Sequence, residues 1–199
     1  MRRSVLIAMA VLLATSACGN DNKSSGPQLD LAGAATAAQK AIDEGDSLGD
    51  CPWDQQAVVT AVAGVVALVP ELSSPGTSDG QVFSGGDVDI AYCDIYPGSR
   101  SASSEGITEL RVDVHPGTAD LPQYIDEEWG GTADAATSAD LLGGTVKSWC
   151  IADDQCIAAW QGDGLFVALV TFGVTTTTAA DAAAALGAAL PIVVAQLAA

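Results

Sequence analysis

The chain has 199 residues, 49% of them hydrophobic, and carries a formal charge of −18. Charge of that sign and size repels phosphate backbones and anionic lipid head groups, which excludes nucleic acid as a partner. The length suits one domain with a proper hydrophobic core.

Met1-Arg2-Arg3 gives a positive end, Val5 to Ala14 an apolar run, and Ala14-Thr15-Ser16-Ala17 a stretch of small residues. That is the layout of an export signal over residues 1–17, and its apolar run is about half the length needed to span a bilayer. Cys18 follows directly. The arrangement resembles a bacterial lipobox, with Thr15 standing where that motif usually has Leu. The resemblance implies cleavage before Cys18, lipidation of that cysteine, and a protein held on the outer face of the cell membrane. One acyl chain binds only reversibly, so a stable anchor needs more than one. Ordinary cleavage after Ala17 is the alternative, and it releases a secreted protein. Residues 18–28, polar and rich in Ser and Gly, read as a flexible tether. Residues 29–199 are expected to form a single α+β domain.

Leu29 to Glu44 has helical spacing, with Leu31, Ala35, Ala38 and Ile42 on one weakly apolar face and Gly45 to stop it. Residues 29–45 are therefore expected as a helix docked loosely on the rest. A second helix is predicted from Cys51-Pro52, capped by Asp50, with Val58, Val59, Val62, Val65, Val66 and Val69 at helical period and Pro70 after its end. Valine favours strands, but a strand would alternate by two. Ser73 to Gly80 reads as loop.

Five strands are predicted: Asp87–Tyr96, Ile107–His115, Thr145–Ile151, Cys156–Gln161 and Leu165–Val174. In the second, Leu110, Val112 and Val114 alternate with Glu109, Arg111 and Asp113, which predicts one apolar and one wet face. The last is apolar on both faces and suits a central position. A short helix is expected at Asp120–Trp129. The terminal helix begins with a capping box at Thr178 to Asp181 and carries Leu186, Leu190, Val193, Val194 and Leu197 on one face, with a kink expected at Pro191.

Beyond Cys18 there are four cysteines, which permit three pairings. Cys150 and Cys156 flank a tight hairpin and lie within the short reach of a disulfide. That leaves Cys51, at a helix start, for Cys93, in a strand. A zinc site is the rival reading. The chain has no CxxC, and exported thiolates oxidise.

Gly45-Asp46-Ser47-Leu48-Gly49 matches the Gly-x-Ser-x-Gly elbow of serine hydrolases and spells the Gly-Asp-Ser-Leu signature of a second esterase family. That chemistry needs Ser47 on a strand-to-helix turn with a histidine base. The chain has one histidine, His115, and a helix is predicted before Ser47. Asp126-Glu127-Glu128 and Asp153-Asp154 lack the spacing of a calcium loop. Trp53, Trp129, Trp149 and Trp160 are large rings among small side chains, suited to anchoring a core or lining a cleft.

A lipobox-like Cys18, a polar spacer, Cys51-Pro52 at a helix start and Cys93 in a strand make up the first half of a pattern. Ala159-Trp160, Phe166-Val167-Ala168-Leu169-Val170 and an alanine-rich terminal helix complete it. It resembles the small actinobacterial exported lipoproteins of unknown function that carry one disulfide-stapled α+β domain, and it implies no catalytic residue. The expectation is a single antiparallel sheet of about five strands with helices packed on one face. The expected function is that of an envelope-anchored, non-enzymatic lipoprotein, joined to the membrane through Cys18, that binds a protein or an apolar ligand without cofactor or metal. An exported serine hydrolase using Ser47 is the alternative.

Overall fold

The computed structural model describes residues 29–44, 47–49, 51–73, 80–85, 88–96, 106–117, 137–152, 155–173 and 178–199. Cys18 and the tether, Asp50, the expected helix Asp120–Trp129 and both acidic clusters lie outside these residues. Among the described residues eight strands form one antiparallel sheet. They are β1 (Ser47–Gly49), β2 (Gly80–Gly85), β3 (Val88–Ile95), β4 (Ile107–Pro116), β5 (Thr137–Leu141), β6 (Gly144–Ala152), β7 (Gln155–Gly162) and β8 (Leu165–Gly173). The spatial order is β1-β2-β3-β4-β8-β7-β6-β5. Two four-stranded meanders thus meet along the β4–β8 ladder, which runs from Ile107 opposite Gly173 to Pro116 opposite Leu165. The protein is α+β.

The strand count corrects the expectation of about five. The five predicted strands are β3, β4, β8, β7 and β6, contiguous in the middle of the sheet. The three additional strands lie outside this block, β1 and β2 at one edge and β5 at the other. They are three, six and five residues long, too short to show clearly the apolar alternation that marks a strand.

Among the described residues three helices accompany the sheet: α1 (Leu31–Glu44), α2 (Gln55–Ala63) and α3 (Ala179–Leu197). All three contribute to one apolar core with Cys93, Leu110, Val112, Val114, Ala158, Trp160, Val167 and Leu169 from one sheet face. Helix α3 starts at the expected Thr178–Asp181 capping box, and Leu186, Leu190, Val193, Val194 and Leu197 are all buried. Its length and mean hydropathy of 1.6 would let it cross a membrane, yet its apolar side is used here in the core. The helix continues through Pro191 to Leu197.

Helix α1 is docked more firmly than expected. Ala34 and Ala38 are fully buried, and the helix packs against β4 and α3. Alanine side chains permit this close approach, and the Asp30 carboxylate accepts from Gly33 N at 2.9 Å to cap its start.

Helix α2 starts later and ends sooner than its sequence period suggests. Asp54, not Asp50, is the N-cap, accepting from Ala57 N, and Gly64 closes the helix. The bond between Cys51 and Cys93 ties the chain to β3 just before this point. Val65 N and Val66 N still donate to Val62 O in a closing turn, and only beyond it does the backbone extend, where Val69 N donates to Ile107 O and Ile107 N donates to Ala67 O. Val65, in that turn, is exposed, while Val69 is buried.

Trp160 organises the hairpin end of the second meander. Its ring lies against the backbones of Gly144 and Gly162, where any Cβ would collide with it. Its indole Nε1 donates to Leu141 O at 2.7 Å, just before the β5–β6 turn. That turn, Leu142-Gly143, has positive φ at both residues, 47° and 82°. This is the backbone that matches the twist of a two-residue hairpin.

Candidate functional site

The sheet's second face holds a separate cluster of Ile90, Trp149, Ile157, Ala159, Phe166, Ala168 and Val170, with Tyr92 and Phe172 packed against it. No described helix residue belongs to this cluster. Strand alternation places it there: cross-strand partners such as Ile157 and Val170 share a face with Arg111.

Beside the apolar patch lies a polar group built from two facing strands. Tyr92 pairs with Asp113, and Asp94 pairs with Arg111. Arg111 Nε donates to Asp113 Oδ1 at 2.7 Å, and its guanidinium sits 3.9 Å above the Tyr92 ring. The face predicted to be wet is therefore partly closed, and Asp113 is fully buried. Charge pairing makes that burial tolerable, since an isolated carboxylate would cost several kcal/mol. Sequence reasoning missed this group. Its signal was a rare cation between two carboxylates, Arg111 in Glu109-Leu110-Arg111-Val112-Asp113, which cannot be read as a closed pair until β3 supplies Tyr92 and Asp94.

Burial pushes the Asp94 carboxyl above the ordinary carboxylate value of 3.8, against the opposing effects of Arg111 and of a hydrogen bond with Tyr96. Burial likewise raises the Tyr92 phenol; Arg111 opposes this, while Asp94 and Asp113 add to it. A carboxyl that binds its proton more tightly when folded supports the fold below about pH 3.8, and that support is lost as pH rises through the folded value. Asp94→Asn is therefore expected to raise Tm relative to the parent at about pH 7, with the gain shrinking toward about pH 3. Paired thermal melts across that range check it, and a gain that grows on acidification would contradict it.

Trp149, at 3% exposure, sits in the second-face cluster, and among the described residues its Nε1 has no hydrogen-bond partner. Trp53 shares this lack but lies in the helix-side core, as does Trp160. Trp129 lies outside the described residues. An indole N–H buried without an acceptor costs about 1–3 kcal/mol.

The disulfides join Cys51 to Cys93 and Cys150 to Cys156. Ser47 and His115 are not brought together. Ser47 pairs with Gln81, Gln81 with Tyr92, and Tyr92 with Asp113, two residues short of His115. Three interstrand steps and two residues of rise separate their backbones by about 16 Å. Ser47 also lies in a strand that follows helix α1, the reverse of the strand-to-helix elbow. His115 pairs instead with Phe166 on β8. Among the described residues, no group of three His, Cys, Asp or Glu is placed to hold a metal ion.

No family model matches the chain, and no curated protein matches it. Among solved structures, a GTP binding regulator from Thermotoga maritima aligns at 11% identity over 70% of this chain and 90% of that one, with a TM-score of 0.34. Similarity at that level carries no argument about fold or ligand.

Proposed function

We propose that this chain is an exported, lipid-anchored, non-enzymatic binding module for a largely apolar ligand or an apolar segment of a partner protein, held at Trp149. The observation that carries the reading is Trp149. It is a buried donor without an acceptor among the described residues, clustered with Ile157, Phe166, Ala168 and Val170 on the face opposite the described helices. A ligand with one carbonyl or hydroxyl on an apolar body would satisfy that N–H. Export rests on the Met1–Ala17 layout, with Cys18 as the anchored residue at the outer face of the membrane, and the two disulfides fit an oxidising compartment.

Native mass spectrometry of protein purified from its own host tests both parts. The expected result is a chain that begins at Cys18, bears two or three acyl groups, and carries a bound apolar molecule. Trp149→Phe keeps the ring and removes the donor, and should weaken retention of that molecule about tenfold. A chain that retains Met1 would overturn the anchoring. Undiminished retention in Trp149→Phe would overturn the site, and fluorophosphonate labelling abolished by Ser47→Ala would overturn the non-enzymatic reading.

A further inference from the structure

We propose that the Cys150–Cys156 bridge is an exchange site, opened by attack of an external thiolate on Cys150, while the Cys51–Cys93 bridge stays closed. The inference is independent of the lipid anchor and of any ligand on the second sheet face.

The two bridges differ in access. Cys150 is exposed near the end of β6, whereas Cys156 is fully buried. An attacking sulfur thus reaches one end of the bond only. In the other bridge Cys93 is fully buried and Cys51 partly so, and both pack in the core with the helices. Exchange rates depend on which sulfur is attacked and on access to it.

The bridges also differ in what their opening would release. The β6–β7 ladder pairs every residue from Thr145 opposite Gln161 to Cys150 opposite Cys156, and β7 is paired on its other side with β8. These hydrogen bonds hold the hairpin without the covalent link. The two Cα atoms lie 4.0 Å apart and only six residues apart in sequence. A reduced pair would therefore stay apposed and ready to close again.

In the first step an external thiolate attacks Cys150 Sγ. A new S–S bond forms there, the Cys150–Cys156 bond breaks, and the electron pair leaves on Cys156 Sγ, which takes a proton from water. With a dithiol, its second thiolate then attacks its own sulfur in the mixed disulfide. Cys150 leaves as a thiolate, the dithiol is oxidised to a disulfide, and the protein bridge has gained two electrons.

The test uses the full oxidised chain under native conditions, with 2-mercaptoethanol as a small neutral thiol and a thioredoxin-type dithiol protein whose resolving cysteine is replaced by serine. Free thiols are blocked by alkylation at intervals, and adducts are located by peptide mass mapping. The expected result is an adduct on Cys150, formed about tenfold or more faster than any change at Cys51 or Cys93, with near-ultraviolet circular dichroism unchanged. An adduct with both probes makes the site open to proteins, and one with mercaptoethanol alone makes it a small-thiol site. Adducts on Cys156, opening of Cys51–Cys93 first or at the same rate, or no opening short of denaturant would each overturn the proposal.

Discussion

Trp160→Ala is expected to lower unfolding free energy by about 4 kcal/mol, the range for removing a large aromatic ring from a packed core. Three things are lost together. The ring is fully buried, it fills the space over two glycines, and its Nε1 holds the Leu141 carbonyl that precedes the β5–β6 turn. Gly162→Ala attacks the same contact from the other side, because the added methyl would collide with the ring. The two strands there have ladders on both sides, so the ring cannot yield by a rigid shift of β7 alone. Urea unfolding of both variants checks the claim. Trp160→Ala and Gly162→Ala should each be strongly destabilising and sub-additive together, since they remove one packing arrangement. Additive losses would show that the ring and the glycine act separately.

Removing the Cys51–Cys93 bridge by a double serine substitution is expected to cost about 4 kcal/mol, against about 2 kcal/mol for the Cys150–Cys156 pair. The first bridge closes a sequence separation of 42 and the second only 6, so the unfolded chain regains more freedom when the longer loop is released. Native packing points the same way. Cys93 and Cys156 both lie in the helix-side core, but Cys51 also fixes the chain just ahead of the Asp54 cap of α2. The pair Cys150–Cys156, by contrast, reinforces a hairpin already held by its ladder. Denaturant midpoints measured without reductant decide the matter. Equal losses, or a greater loss from the hairpin pair, would mean that strain or residual structure outweighs loop entropy.

Much of this architecture was legible before any coordinates. Leu110, Val112 and Val114 alternate as a strand must, the valines of Val58–Val62 repeat as a helix must, and Thr178 and Asp181 spell a capping box that the structure contains. Both disulfide partners followed from a hairpin and a remainder. Less was legible where two local readings compete. Asp50 and Asp54 are each good caps, and the Cys51–Cys93 tie settles the start of α2 at Asp54. The run Val65 to Val69 keeps a helical period, yet pairing with Ile107 draws Ala67 to Val69 out as extended chain.

The candidate site was hidden for a related reason. Alternation says that Arg111 and Asp113 leave the apolar face, and nothing in the pattern says what meets them there. Tyr92 and Asp94 are supplied by β3, across a connection that periodicity does not describe, and only that pairing turns an expected wet face into a buried ion pair. By itself the chain determined its acidity, its cysteine frame, its capping box and the five strands of the sheet's centre, because each is a matter of composition or short-range period. Tertiary structure decided the three outlying strands, the β4–β8 junction, the burial of Asp113 and the exposure of Cys150 beside buried Cys156. Those depend on which distant segments come to lie side by side, and contacts of that kind leave no period in a sequence.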